Sequence, residues 1–172
     1  GGSGWDAGAV QALQRFAENW QLPVACAFRF QDLFDNHHPL YAGDVGIGVN
    51  PRLAARVREA DLVLAIGVRY SEVSTGCYSI PPHRVVHVDA NPNNIGRIVK
   101  PEVCVNADAG VFLDRLLAHA DEVCRPTDAA LAEGLPTFLR KGGNMIKKKA
   151  KAATPWFVVK LKKLGACSDA MR

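Results

Sequence analysis

Four short aliphatic runs, at residues 24–28, 62–66, 85–88 and 103–105, alternate with stretches whose apolar residues recur at helical spacing. That alternation leaves the chain few architectures. An aliphatic run without polar alternation is buried on both faces, the pattern of a parallel strand, and parallel strands need crossover helices between them. Over residues 8–20, Val10, Leu13, Phe16, Ala17 and Trp20 share one side of a 3.6-residue period, and Pro23 ends that helix. Asn50 followed by Pro51 is a helix start, because the Asn side chain caps free amides and proline at the first position loses no hydrogen bond. Leu53, Ala54, Val57 and Ala60 then form its inward face. Asp108 caps a last helix with Val111, Phe112, Leu116, Leu117 and Ala120 turned inward. Residues 29–49 show no sustained period and read as one long loop, of a length that in compact domains is often functional. The predicted class is α/β, a doubly wound parallel sheet with helices on both faces.

In such sheets ligands bind at the carboxyl ends of the strands, which points to residues 67–69 and 89–94. The start of the chain adds a third segment. Gly1, Gly2 and Gly4 precede the first helix, and a glycine turn leading into a helix N-terminus is how this fold meets a ligand's phosphate. A strand should come before such a turn. Either the chain begins just after its first strand or these residues are an appended linker, and the pattern alone leaves both open.

With 172 residues, 48% of them hydrophobic, the chain suits one domain with appendages rather than two domains. It has no apolar run of about 18 residues and no signal-peptide pattern, so it reads as a cytoplasmic protein. The five cysteines are scattered, without a CxxC pair or a histidine at zinc-ligand spacing, so metal is not expected. Cys26 and Cys104 lie in apolar segments, where a free thiol acts as a small buried hydrophobe. His37 and His38 are neighbours that share no face and read as a solvated loop, and Asp44, between glycines, reads as turn chemistry.

Residues 1–124 hold 10 Lys/Arg against 14 Asp/Glu, whereas residues 125–172 hold 11 against 3. The two segments therefore differ in kind. In the second, Lys147, Lys148, Lys149 and Lys151 precede Trp156, Phe157, Val158 and Val159. Basic residues interleaved with aromatic ones suit an anionic membrane or nucleic acid, but repeated Pro and Gly favour a partly disordered extension. No nucleic-acid or membrane partner is therefore expected.

Several landmarks occur in order: Gly1-Gly2-Ser3-Gly4-Trp5; Phe30-Gln31-Asp32-Leu33-Phe34-Asp35-Asn36 with His38-Pro39; Gly43-Asp44-Val45-Gly46-Ile47-Gly48; Ala60-Asp61-Leu62-Val63-Leu64-Ala65-Ile66-Gly67; and His87-Val88-Asp89. Together they resemble the central domain of acetolactate synthase-like, thiamine-diphosphate-dependent enzymes, across about residues 1–120. The resemblance implies a Rossmann-like sheet of the DHS-like nucleotide-binding type, lacking its first strand here, with the domain at 1–124 and a lysine-rich extension at 125–172. It also implies a parent enzyme acting on 2-keto acids, as a transferase or lyase. Thiamine diphosphate and Mg²⁺ would be held by two flanking domains, which are the partners it implies, along with a homo-oligomer.

The chain carries no Gly-Asp-Gly metal motif, so the resemblance assigns it no catalytic residue and no activity alone. Some central domains of the family bind FAD or ADP and others bind nothing. The positions matching the nucleotide pattern are Gly1, Gly2, Gly67, Arg69, Asp89, Asn94 and Asp108. Ser71, Glu72 and Val73 replace the acidic residues and second arginine of the FAD pattern, which disfavours FAD relative to ADP. For Arg69 and Asp89, surface pairing and turn capping weigh equally with ligand contact. The rival readings are a stand-alone nucleotide-binding module without catalysis, and an adaptor driven by the basic tail.

Overall fold

Asp6 accepts a hydrogen bond from the Ala9 amide at 2.7 Å and starts helix α1 (Ala7–Trp20), which Gln21 closes in the left-handed conformation. The computed structural model describes residues 1–2, 4–78 and 84–119. Residue 120 and the extension at 125–172 lie outside them. After α1 follow β1 (Val24–Ala27), β2 (Tyr41–Val45), α2 (Pro51–Glu59), β3 (Val63–Ile66), β4 (Val85–Asp89), β5 (Val103–Asn106) and α3 (Ala109–Ala118). Single 3-10 turns stand at Gln31–Leu33 and Pro92–Asn94.

Every strand pairing is parallel, but the strands form two groups: β1 pairs with β2, and β3, β4 and β5 follow in order. Strand β4 lies at the centre of the larger group and is buried at all five residues. Its Val86 and Val88 face a core built with Ala12, Phe16 and Trp20 of α1 and Phe112, Leu113 and Leu116 of α3. Its Val85 packs on the opposite face with Ala65 and Tyr70. A second core joins Ala17 of α1 to Cys26, Phe34 and Leu40. Each fully buried large side chain contributes roughly 1.5–3 kcal/mol relative to exposure, so α1, which serves both cores, helps to hold the two strand groups together.

Several expectations need correction. The long loop contains a strand, β2, whose five residues are all only half-buried and include Gly43 and Asp44; an edge strand of that composition shows no aliphatic run. Asp44 is thus a strand residue rather than a turn residue, and it accepts a hydrogen bond from Gln31 Nε2 at 3.0 Å. On α3 the inward residue is Leu113, fully buried, whereas Val111 is 55% exposed. On α1 Phe16, Ala17 and Trp20 are buried as expected, together with Ala9 and Ala12, whereas Val10 and Leu13 are half-buried. Cys104 is exposed, because β5 has a strand on one side only and alternates its faces; Cys26 is buried as expected. His37 is exposed. His38 instead clips residues 34–40 to α1: its Nδ1 accepts from the Leu40 amide at 3.2 Å, which leaves the proton on Nε2, 3.0 Å from Glu18 Oε1.

Candidate functional site at the carboxyl edge of the sheet

The short runs that make β3, β4 and β5 all end at one edge, and their last residues deliver Gly67, Asp89 and Asp108 there. Gly67 continues the strand pattern by donating its amide to Val88 O at 2.7 Å. Gly1 lies beside it: its terminal nitrogen donates to Ile66 O at 3.0 Å, and the Trp5 indole donates to Gly1 O at 2.9 Å. Gly2 has φ +80° and Gly67 φ +67°, both in the region that favours glycine. A Cβ on Gly2 would overlap the Gly67 carbonyl, and one on Gly67 would overlap the Gly1 carbonyl. The two backbones therefore meet with no room for a side chain.

Arg69 follows two residues after Gly67 and is exposed, with no hydrogen bond or ion pair to another described residue. The backbone beneath it is fixed. Val68 O accepts from His87 Nε2 at 2.8 Å, and the Tyr70 ring, at φ +49°, stands edge-on to His87 with centroids 5.4 Å apart. Desolvation lowers the His87 pKa, the Val68 bond opposing, and desolvation raises that of Tyr70. Both groups therefore remain uncharged supports of the loop.

Asp89 is buried and already engaged. Its Oδ1 accepts from the Asn91 amide at 2.8 Å, and both carboxylate oxygens lie 3.2 Å from Asn94 Nδ2. Asn106 Nδ2 donates to Asp89 O at 2.9 Å and to Ala90 O at 3.0 Å, a support for this turn that periodicity does not reveal. Asp108 caps α3 through Oδ1, 2.8 Å from the Gly110 amide, and its Oδ2 would lie 3.3 Å from a Cβ on Gly4. The seven positions picked from the sequence thus fall into a glycine pinch (Gly1, Gly2, Gly67), a capped pair (Asp89, Asn94), a helix cap (Asp108) and a free guanidinium (Arg69). Trp5, Asn106, His87 and Tyr70 support them; Trp5 and His87 fall within the landmarks of the family resemblance, whereas Asn106 and Tyr70 carry no sequence signal of their own.

Parallel strands with flanking helices, and a glycine pinch at the edge where they end, define a Rossmann-like α/β domain. The family model described as "Thiamine pyrophosphate enzyme, central domain" matches residues 1–116, and the chain belongs to that family. It is 34% identical over 113 residues to the probable acetolactate synthase large subunit of Methanocaldococcus jannaschii, covering 64% of this chain and 19% of that protein. To the acetolactate synthase large subunit of Parasynechococcus marenigrum it is 32% identical over 141 residues, covering 80% of this chain and 23% of the relative. A sulfoacetaldehyde acetyltransferase of Alcaligenes xylosoxydans xylosoxydans is 30% identical over 141 residues, with 75% and 23% covered. The chain spans about a fifth to a quarter of the length of these relatives.

The residues present do not fit the metal-bound diphosphate of a thiamine cofactor. Gly43-Asp44-Val45 lacks the second glycine, Asp44 Oδ2 is taken by Gln31, and Asp44 Oδ1 is buried without a partner. Among the described residues no three of His, Cys, Asp and Glu converge as metal ligands would. No helix among them is long and apolar enough to cross a membrane.

Proposed function

We propose that the chain is the central part of a larger thiamine-diphosphate-dependent enzyme that acts on 2-keto acids, in the manner of acetolactate synthases. In this reading it supplies architecture and a weak site for an adenine nucleotide, and no catalytic residue. Thiamine diphosphate and Mg²⁺ then belong to the two flanking domains, which are its partners, and the parent is a cytoplasmic homo-oligomer. One observation carries the nucleotide reading: the Gly1, Gly2 and Gly67 backbones are pressed together at the strand ends beside a guanidinium, Arg69, that no described residue engages.

A guanidinium left free near a glycine turn suits a phosphate, since charge-assisted pairs are the strong polar contacts. Asp89, with Asn94 oriented on it, suits a ribose hydroxyl, and Asp108 stands at the far side beside Gly4. Ser71 and Val73, where the FAD pattern has charge, favour ADP over FAD. Calorimetry with ADP and with FAD tests this on the chain and on Arg69→Ala. ADP should bind more tightly than FAD, and the substitution should weaken ADP by about tenfold or more, the value of one charge-assisted contact. Tighter FAD binding, or ADP binding indifferent to the substitution, would place the site elsewhere.

A further inference from the structure

The turn that ends β1 carries a residue its backbone does not favour. The Phe30 amide donates to Ala27 O at 2.9 Å and closes a four-residue turn, in which Arg29 stands third with φ +67°. Turns that need a left-handed residue there take glycine or asparagine, because in that conformation a Cβ crowds the following carbonyl. Arginine is therefore less stable at this position than glycine. Tyr70 also has a positive φ, +49°, but its ring is buried against His87, so packing accounts for it. Arg29 has no such reason. Its side chain is exposed and makes no hydrogen bond or ion pair to a described residue, and its Cζ lies 5.3 Å from the centroid of the Phe28 ring. Backbone strain of this kind collects at binding sites, and it directs attention to what the strained residue's side chain does.

The surroundings of Arg29 say what it meets. A Cβ on Gly1 would lie 2.6 Å from Ala27 Cβ and 3.8 Å from Phe30 Cδ2, both in this turn, while a Cβ on Gly2 would overlap the Gly67 carbonyl. The turns bearing Arg29 and Arg69 thus border the same pair of glycines from opposite sides. At the end of β2, a Cβ on Gly46 would lie 3.1 Å from Phe28 Cβ, so a third glycine borders the Arg29 turn. Asp44 does not neutralise the guanidinium, since its Oδ2 accepts from Gln31 and its Oδ1 is buried.

We propose that Arg29 is a second phosphate-binding residue of this edge and gives it a preference for a diphosphate over a monophosphate. The proposal rests on the nucleotide reading of the same site and fixes the order of contacts along it. Asp89, the ribose contact in that reading, ends β4, which pairs with β3, so the phosphate nearest the ribose meets Arg69 after β3. The outer phosphate then crosses the glycine pair to Arg29. A guanidinium suits this role because its fork of donors matches phosphate oxygens and it stays charged at any working pH. The face of the Phe28 ring attracts the cation and so reduces the side-chain freedom that binding has to remove. A monophosphate engages Arg69 alone.

The test measures ADP, AMP and inorganic pyrophosphate by calorimetry on the full chain and on Arg29→Gly, Arg29→Asn and Arg69→Ala. Arg58→Ala, on the last turn of α2, controls for the loss of one positive charge, and urea unfolding is read for every variant. The expected result is that the chain binds ADP about tenfold more tightly than AMP, and that both Arg29 substitutions weaken ADP and pyrophosphate by about tenfold while leaving AMP within about twofold. The urea midpoint of Arg29→Gly should equal or exceed that of the unaltered chain, and Arg58→Ala should change no affinity. Equal binding of ADP and AMP, or a lower midpoint for Arg29→Gly, would overturn the proposal. ADP binding weakened by Arg69→Ala but indifferent to both Arg29 substitutions would also overturn it and leave the nucleotide reading standing. Pyrophosphate bound through Arg29 as tightly as ADP would support the phosphate role and remove the adenine reading, and binding of neither would overturn both.

Discussion

Alanine at Gly67 should cost the chain about 2–5 kcal/mol, enough to lower Tm by roughly 10 °C or more for a domain of this size. Two causes add. The left-handed backbone at φ +67° carries a penalty of about 1–2 kcal/mol for a side-chain-bearing residue, and the new Cβ overlaps the Gly1 carbonyl, which the Trp5 indole holds in place. Gly48 separates these causes. Its φ is +72° and nothing lies within 4 Å of a Cβ built there, so Gly48→Ala should cost only the backbone term. Urea unfolding of both variants checks the account. Equal losses for the two would mean that the meeting of Gly1 with Gly67 contributes nothing, and the glycine pinch would then have no structural basis.

Leu113→Ala should destabilise by about 2–5 kcal/mol, while Val111→Ala should stay within about 0.5 kcal/mol. Leu113 is fully buried between α1 and the sheet, in the core with Phe16, Trp20 and Val88, so its loss removes apolar burial and leaves a cavity. Val111 is 55% exposed on the same helix. Chemical denaturation of the two variants reads this contrast directly, and a larger loss at Val111 would put the helix in the wrong rotation.

The same pair of residues shows what periodicity can and cannot resolve. Helix α3 is apolar at Val111, Phe112, Leu113, Leu116 and Leu117, and so continuous a run does not say which side faces the sheet; the packing of Phe112, Leu113 and Leu116 on Val86 and Val88 decides it. Strands β1, β3, β4 and β5 were legible as short aliphatic runs, although only β4 is buried along its whole length and β5 alternates half-buried with exposed residues. Strand β2 was not, since an edge strand half-covered along its length tolerates Gly43 and Asp44. Helix caps at Asn50 and Asp108 were readable from residue type, because the capping bond is local: Asn50 Oδ1 accepts from the Arg52 amide at 2.9 Å.

At the candidate site, strand ends located the glycines and acids but not their partners. That Asp89 spends its carboxylate on Asn91 and Asn94 is a matter of loop geometry, and that Gly2 and Gly67 need to be glycine follows from a long-range approach that no local pattern encodes. The exposed state of Arg69 is likewise a property of the fold.

The central claim, that this domain serves a thiamine-diphosphate enzyme without performing its chemistry, is tested most directly by assaying the purified chain for acetolactate with thiamine diphosphate, Mg²⁺ and pyruvate. No Gly-Asp-Gly motif is present, and Asp44, at the nearest approach to one, is a strand residue bound by Gln31. The predicted result is no acetolactate above a buffer blank. Turnover that follows the chain through successive purification steps would contradict it.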